Sequence, residues 1–271
     1  MRGLQALLAR GKRTRGAKKG RRGLAPPRHA PGTAEVSWFF DAYPRFYETS
    51  RTGKARGRLN LRYEAIFTEN SDVFAGARVL DLASHDGRWS LAALKTGAAE
   101  VVGIEADEEL YAAACESLGE YSGGRHFRFV CGDLFEVLAR ERFEADVVLC
   151  LGFLYHTIRY NELMARIRET GPRHLILDTD VLRSRERPLV RLMTDPVEFQ
   201  ANAAADAFSH GGKVLVGTPS VAALELLLDT YAFEIERFSD WPALIRDNPE
   251  LGAANDYATG KRVTVRCVSR A

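Results

Sequence analysis

The sequence lacks the features that define several common classes of protein. It has no run of 18 apolar residues, so no membrane-spanning helix is expected. Only four cysteines occur in 271 residues and none lies in a CxxC pair, so neither a disulfide framework nor a zinc site is predicted. No trio of His, Cys or acidic residues has metal-ligand spacing, so we expect no metal ion. This cysteine usage fits a reducing compartment, and a cytoplasmic location is the expectation.

Acidic side chains are absent from residues 1–33. This segment holds ten of the 38 Lys and Arg residues, so residues 34–271 carry 28 basic and 36 acidic residues, a net charge of −8. It has no core-forming pattern, and we expect a basic tail that is disordered in isolation. Four roles are open for it: binding RNA or another polyanion, organelle targeting, docking on anionic lipid, or none in catalysis.

The rest of the chain is predicted to be an α/β protein. Residues 34–70 are rich in aromatic and charged side chains and are predicted to form an N-terminal helical cap of two helices. From residue 71 to 271, strands and helices alternate, which predicts a Rossmann-like, doubly wound parallel sheet. The predicted strands are 78–82, 100–105, 127–131, 145–151 and 174–179, and the predicted helices are 88–96, 108–118, 134–140 and 160–169.

Two later segments interrupt this alternation. Residues 181–217 follow the fifth strand, where insertions lie over the ligand crevice of such sheets, so we interpret them as a partly helical lid or substrate-binding insertion. Residues 233–238 and 262–270 are predicted strands, joined by a polar loop, 239–261, without a helix. The sheet is therefore expected to have seven strands, the last of them antiparallel.

Glycine is scarce where a nucleotide-binding turn would need it. The stretch VLDLASHDGRWS predicts a strand, a turn and the start of a helix, but Ala83 and His85 stand at positions where glycines are expected, leaving only Gly87. A pyrophosphate needs such glycines for close approach of the backbone, so a dinucleotide is disfavoured. Asp81 and Asp86 suit a cationic ligand instead, and this favours S-adenosylmethionine, which has no phosphate.

Acidic residues also follow the next two predicted strands. A carboxylate at Glu105, where the second strand ends, can accept hydrogen bonds from both ribose hydroxyls of an adenosine. Asp133 follows the third strand and is placed to reach the edge of an adenine ring. Together the two acids predict an adenosyl site at the carboxyl edge of the sheet.

These stretches resemble the motifs of class I S-adenosylmethionine-dependent methyltransferases. VLDLASHDG is similar to the first motif, VVGIEAD to the second, FVCGDLFEV to the third and ADVVLCLGFLYH to the fourth. LGFLYHTIRYNELMARI and PSVAALELLLDTYAFEIERF also partly resemble the tRNA wobble-uridine carboxymethyltransferase group. The resemblance implies S-adenosyl-L-methionine as cofactor, held by residues of these motifs: Asp81, Ala83, Ser84, His85, Gly87, Glu105, Ala106, Gly132, Asp133, Leu134, Leu151 and Gly152.

Tyr155 and His156 follow the fourth strand, beside the expected methyl donor, and are the candidate catalytic residues. His156 could take a proton from an attacking hydroxyl or amine, because the pKa of histidine lies near working pH. The alternative is that His156 only hydrogen-bonds the loop, since alignment alone can suffice for a sulfonium donor. Four further residues are candidates for holding the acceptor: Tyr43, Arg58, Arg62 and His210.

The sequence as a whole predicts a methyltransferase acting on an oxygen or nitrogen of a small-molecule acceptor. The acidic body argues mildly against a large nucleic-acid footprint, which needs a basic face. The alternative is an RNA-modifying methyl- or carboxymethyltransferase that uses the basic tail to bind the polyanion. A non-catalytic cofactor-binding protein and a nicotinamide oxidoreductase are less favoured, and no oligomeric state is predicted.

Overall fold

The computed structural model describes residues 38–49, 55–198, 204–252 and 254–270. The predictions for the basic tail lie outside these residues, as does the beginning of the predicted cap. Among the described helices, none combines the length and the apolar character needed to cross a bilayer.

Nine strands are present in the described part of the chain. In chain order they are β1 (Arg78–Leu82), β2 (Glu100–Glu105), β3 (His126–Cys131), β4 (Val147–Leu151), β5 (His174–Asp180), β6 (Val190–Pro196), β7 (Lys213–Pro219), β8 (Phe233–Phe238) and β9 (Arg262–Ser269). Seven of them form one sheet in the order β3-β2-β1-β4-β5-β9-β8, in which β9 is antiparallel to both neighbours. The predicted Rossmann-like, doubly wound sheet of seven strands with an antiparallel last strand is confirmed.

Helices surround this sheet. They are α1 (Arg56–Tyr63), α2 (Ser71–Phe74), α3 (Arg88–Thr96), α4 (Glu108–Tyr121), α5 (Leu134–Arg140), α6 (Tyr160–Glu169), α7 (Val221–Thr230), α8 (Trp241–Asp247) and α9 (Asn255–Ala258). Single turns of 3-10 helix lie at Phe39–Ala42, Pro44–Tyr47, Leu154–His156 and Pro249–Leu251, and a π-helical turn, Glu64–Thr68, extends α1.

The central strand β4 is apolar throughout because both faces of the sheet are covered there. Along β4, Val147 and Leu149 join the layer that packs against α3 and the cap, whereas Val148 and Cys150 join the layer under α5, α6 and α7. Successive side chains of a strand point to opposite faces, so a strand between two helical layers has no polar face to show.

The described part of the cap is held to the sheet by aromatic side chains. Phe40 and Phe67 are fully buried, and each ring packs against Trp89 at the start of α3, with centroids 5.6 and 5.9 Å apart. Aromatic contacts of this kind add to the area that the rings bury. This packing places α1 beside the carboxyl edge of the sheet, next to the turn that follows β1.

Two sequence predictions are wrong in their secondary structure. The insertion 181–217 was predicted to be partly helical, but β6 and β7 pair in it as an antiparallel ribbon, for which the alternating, β-branched pattern of KVLVGTP is suited. The loop 239–261 was predicted to lack a helix, yet it contains α8 and α9. Asp240 caps α8 by accepting from the Ala243 N–H, and Pro lies in the first turn, a start signal readable in the sequence.

Candidate active site

A cavity of about 1070 Å³ lies where the strand order reverses, at the carboxyl ends of β1 and β4. Ligands of open α/β sheets bind at this position. The residues predicted from the sequence that line it are Arg58, Arg62, Ala83, His85, Glu105, Ala106, Gly132, Asp133, Leu134, Leu151, Gly152, Tyr155 and His156.

Five other predicted site residues are not part of the lining. Asp81, Ser84 and Gly87 are buried within the strand and turn. Tyr43 instead packs its ring against Tyr121, with centroids 5.2 Å apart, and His210 is exposed on the insertion, where it pairs with Lys213. The structure therefore does not bring the two predicted substrate residues Tyr43 and His210 to the cavity.

The turn after β1 keeps a glycine-type conformation without the glycines. Ala83, His85 and Gly87 have φ angles of 52°, 56° and 78°, all in the left-handed region. That region costs a residue with a Cβ about 1–2 kcal/mol. At Gly87 a Cβ would also lie 2.8 Å from the Leu118 side chain, so a larger residue would force that side chain to shift. The fold thus imposes the turn, and the two substituted positions accept the strain.

Glu105 connects this turn to β2. One oxygen of its carboxylate accepts the His85 N–H at 2.7 Å and the other accepts the Asp107 N–H at 3.0 Å. Burial of the side chain raises the pKa of this carboxyl. A carboxylate has about four acceptor positions, so the group keeps capacity to accept a hydroxyl from the cavity side.

One carboxylate oxygen of Asp133 caps a helix, and the other is open to a ligand. Its Oδ1 caps α5 by accepting the N–H groups of Phe135 and Glu136, both at 3.0 Å. Within the described residues, Oδ2 has no hydrogen-bond partner. A carboxylate oxygen at the end of β3 is therefore available to accept an N–H from a ligand in the cavity.

Asp81 and Asp86 do not face the cavity, contrary to the interpretation of the sequence. Asp81 is buried and its Oδ2 accepts from Ser90 Oγ at 2.7 Å; burial raises its pKa to about 7. Asp86 is buried, which by itself would raise its pKa, but the Arg88 guanidinium, with Nε 2.6 Å from Oδ1, and the neighbouring His85 lower the pKa below its usual range. Neither carboxylate is placed to meet a cationic ligand directly, whereas Arg88, which the sequence analysis missed, lines the cavity.

A buried ionic cluster of residues from α1, β5 and β9 forms one wall of the cavity. Asp178 lies between two guanidinium groups, 3.0 Å from Arg62 Nη2 and 2.5 Å from Arg262 Nη2. It also accepts from Tyr257 at 2.8 Å and from Thr264 at 2.6 Å. Despite complete burial, the arginines hold the pKa of Asp178 below its usual range. Asp178 is therefore an anion that fixes both arginines.

The same cluster orients Tyr155, one of the two predicted catalytic residues. Arg262 Nη1 donates to the Tyr155 hydroxyl at 3.2 Å and to Asp180 at 2.9 Å. Arg58, a predicted candidate for holding the acceptor like Arg62, has its own partner in Asp256 at 2.6 Å. Every arginine of this wall thus has a carboxylate partner.

His156 pairs with a residue of the insertion. Its Nδ1 lies 3.2 Å from Oδ2 of Asp195 on β6, and both side chains are mostly buried. Burial lowers the pKa of His156, although Asp195 acts in the opposite direction, so the imidazole is neutral at pH 7. No sequence signal marked Asp195, because 39 residues separate the partners.

A second contact fixes the insertion beside the cavity. The Arg159 guanidinium lies 3.7 Å from the centroid of the Phe135 ring and 5.0 Å from that of Phe208, and it pairs with Asp206 at 3.4 Å. Asp206 lines the cavity. Residues around Asp206 are therefore held against the start of α5 and α6, which closes one side of the cavity.

Comparisons with known proteins agree with this geometry. Residues 79–170 match the family of the methyltransferase domain. The 23S rRNA (uracil(1939)-C(5))-methyltransferase RlmD of Shewanella amazonensis is 46% identical over 88 residues, which are 32% of this chain and 19% of that protein. The chain thus matches only about a fifth of the length of this relative.

Solved structures share the fold. The PH0226 protein of Pyrococcus horikoshii OT3 superposes with a TM-score of 0.53 at 17% identity, covering 88% of this chain and 100% of that one. Magnesium protoporphyrin IX methyltransferase of Synechocystis PCC 6803, with bound SAH, gives 0.52 at 17% identity and covers 85% and 94%. At such identities the likeness shows the fold alone. Together with the domain match, it identifies residues 79–170 as a methyltransferase domain within the fold that S-adenosylmethionine-dependent methyltransferases share, with S-adenosyl-L-methionine as its cofactor.

Proposed function

We propose that the protein transfers the methyl group of S-adenosyl-L-methionine to an oxygen or nitrogen of a small-molecule acceptor. The observation that carries this proposal is the extent of the cavity. It runs from Glu105 and Asp133 past the β4 loop to Val197 and Asp206 of the insertion. A volume of about 1070 Å³ has room for the cofactor and a modest second ligand.

The residues at one end fit the cofactor. Glu105 would accept the ribose hydroxyls, and the free Oδ2 of Asp133 would accept an N–H of the adenine. The left-handed turn at Ala83 and His85 would bring backbone groups near the methionine part. The bound cofactor supplies an electrophilic methyl group on a sulfonium, and the protein's part is to align the acceptor with it and exclude water.

The charge of the lining favours a small acceptor over a polyanion. Among the described lining residues, seven are acidic and four are arginines. The arginines are already engaged by carboxylates: Arg58 by Asp256, Arg62 and Arg262 by Asp178, and Arg88 by Asp86. A chain of phosphates would meet net negative charge here, whereas a neutral or cationic molecule would not.

Calorimetry with S-adenosylmethionine, S-adenosylhomocysteine and NAD tests the cofactor, and a screen of small acceptors read out as S-adenosylhomocysteine tests the reaction. We expect both adenosyl-sulfur compounds to bind and NAD not to bind. Binding of NAD alone would overturn the proposal. Turnover of an RNA substrate, with no small molecule accepted, would replace the acceptor part of it.

RNA is the second candidate acceptor. Two observations favour it: the ten basic residues of the first 33, and the match of a segment to a 23S rRNA methyltransferase. A variant without residues 1–33 distinguishes the two. Loss of a salt-sensitive RNA affinity together with loss of activity would support RNA, since phosphate contacts weaken steeply with salt. Unchanged activity on a small molecule would leave the first proposal standing.

A further inference from the structure

We propose that His156 and Asp195 act as a pair, in which His156 removes the proton of the acceptor and Asp195 positions the imidazole, and that the acceptor is a hydroxyl compound. This inference rests on the proposed function, since it needs a methyl donor in the same cavity. It adds to that function the group that takes the proton, a positioning residue from the insertion, and the class of the acceptor.

The two side chains reach each other from different parts of the fold. His156 ends the turn after β4, and its N–H donates to the Phe153 carbonyl at 2.7 Å, which fixes the backbone. Asp195 lies on β6 opposite Val214, a cavity-lining residue. With Nδ1 engaged at 3.2 Å, the nitrogen left for a ligand is Nε2, which has no hydrogen-bond partner among the described residues. The geometry anchors one nitrogen and leaves the other for proton transfer.

The surrounding charges suit a base that ionises only briefly. Asp195 from β6 and Asp180 from β5 face the imidazole, and Arg262 from β9 opposes them, while the Tyr155 ring centroid lies 4.2 Å away. Burial and Arg262 favour the neutral imidazole before transfer. The Asp195 carboxylate stabilises the imidazolium once it has formed, as the acid of a Ser-His-Asp triad does.

The proposed step balances. The acceptor oxygen forms a bond to the methyl carbon while the carbon–sulfur bond breaks and leaves its electron pair on sulfur, which becomes a neutral thioether. The hydroxyl proton moves to His156 Nε2, and the imidazolium later loses it to water. A hydroxyl benefits most from this base, because its oxygen attacks poorly until the proton begins to leave. A carboxylate has no such proton, and an amine in its neutral form attacks through its lone pair without losing a proton first.

The competing explanation is that the His156–Asp195 contact only fastens the insertion to the β4 loop. Histidine-selective ¹⁵N NMR distinguishes the two, with the protein alone and with S-adenosylhomocysteine. We expect the proton of neutral His156 on Nδ1, and Asp195→Asn to lower the pKa of His156 by at least about half a unit, because a stabilising charge is lost. His174, at the first residue of β5, is the internal control, and its pKa should not change in the Asp195 variant.

The matched control variant is Thr194→Ala, because Thr194 precedes Asp195 on β6 but is exposed and points to the opposite face of the ribbon. It should leave the His156 titration unchanged. A proton on Nε2 in the wild type, or an Asp195→Asn titration identical to that of Thr194→Ala, would overturn the proposal.

Kinetics with the hydroxyl acceptors found by the screen complete the test. His156→Ala should lower kcat about 100-fold, and Asp195→Ala about 10-fold, with the inflection of the pH–rate profile moved to lower pH and KM little changed. A rise of KM alone, with the inflection in place, would mean a fastening role and would refute the pair. Retained S-adenosylhomocysteine binding in both variants shows that the site is intact. Failure of the wild type to bind S-adenosylmethionine would instead refute the proposed function.

Discussion

Two fully buried aspartates, in β1 and β5, stand in opposite electrostatic surroundings. Asp81 precedes the turn after β1, in the part of the site proposed for the cofactor (the cofactor half). Among the described residues its side chain accepts from Ser90, and burial raises its pKa to about 7. Asp178 lies between Arg62 and Arg262, in the part of the site proposed for the acceptor (the acceptor half), and these arginines lower its pKa below the usual range. Burial penalises the charged form in both cases, so the neighbouring cations decide which protonation state the fold holds.

The comparison predicts its largest effect at Asp178. Asp178→Asn leaves two buried guanidinium groups without their anion, and we expect a loss of about 3–5 kcal/mol in the free energy of unfolding, measured by urea denaturation at pH 7. Asp81→Asn, the same change in a site without a cation, is the control and should cost far less. Equal losses at the two positions would show that burial alone, and not the arginines, sets the energetics of Asp178.

The two carboxyls should also respond to pH with opposite sign. Folded Asp81 keeps its proton up to about pH 7, so the stability that this proton contributes is present below about pH 4 and is lost as pH rises through about 7. Folded Asp178 stays ionised, so its contribution is present above about pH 4 and is lost as the pH falls through its lowered pKa.

Asp81→Asn isolates the first of these trends. Relative to the wild type, the variant should gain about 2–3 kcal/mol between pH 5 and pH 8, because it has no proton to lose over that range. The measurement is a series of urea titrations of both proteins across the range. Parallel curves for the two would mean that Asp81 is ionised throughout, and the contrast with Asp178 would then be lost.

Glu105 is the residue of the cofactor half that we propose contacts the ribose of the cofactor. Glu105→Ala removes the acceptor proposed for the ribose hydroxyls, and the affinity for S-adenosylhomocysteine should fall by about 1–3 kcal/mol, or roughly 5- to 150-fold, by calorimetry. Glu109→Ala is a suitable control, because Glu109 also lines the cavity but is exposed at its rim. An unchanged affinity for the Glu105 variant would remove this residue from the cofactor site.

The two halves also differ in how far the sequence could predict them. The cofactor half comes from turns that directly follow β1, β2 and β3, so Glu105 and Asp133 could be located once the strands were predicted. The acceptor half is assembled by contacts across the chain: Asp178 meets Tyr257 79 residues later and Arg262 84 residues later. No local pattern carries such pairings, which depend on β9 running antiparallel beside β5.

The insertion shows a second limit. Its position over the cavity followed from the order of the elements, but its structure was predicted wrongly, although KVLVGTP has the alternating, β-branched pattern of a strand. Residues such as Asp195 and Asp206 gain their roles only from that ribbon's register and from its contacts with His156 and Arg159. Local signals therefore predicted the cofactor, and tertiary contacts determine what can be said of the acceptor.

The turn after β1 gives the smallest predicted effect. It also tests whether the fold requires the left-handed conformation at a position where the sequence has no glycine. Ala83 has a φ angle of 52°, where glycine is favoured, so Ala83→Gly should stabilise the protein by about 0.5–1 kcal/mol, less than the full cost of the left-handed region because glycine is freer when unfolded. Ala112→Gly, the same substitution at an exposed position of α4, should destabilise by about 1 kcal/mol. Urea denaturation of both variants measures the pair. Opposite signs would show that the fold, and not the glycines of the motif, dictates this turn; a loss at both positions would show that Ala83 is not strained.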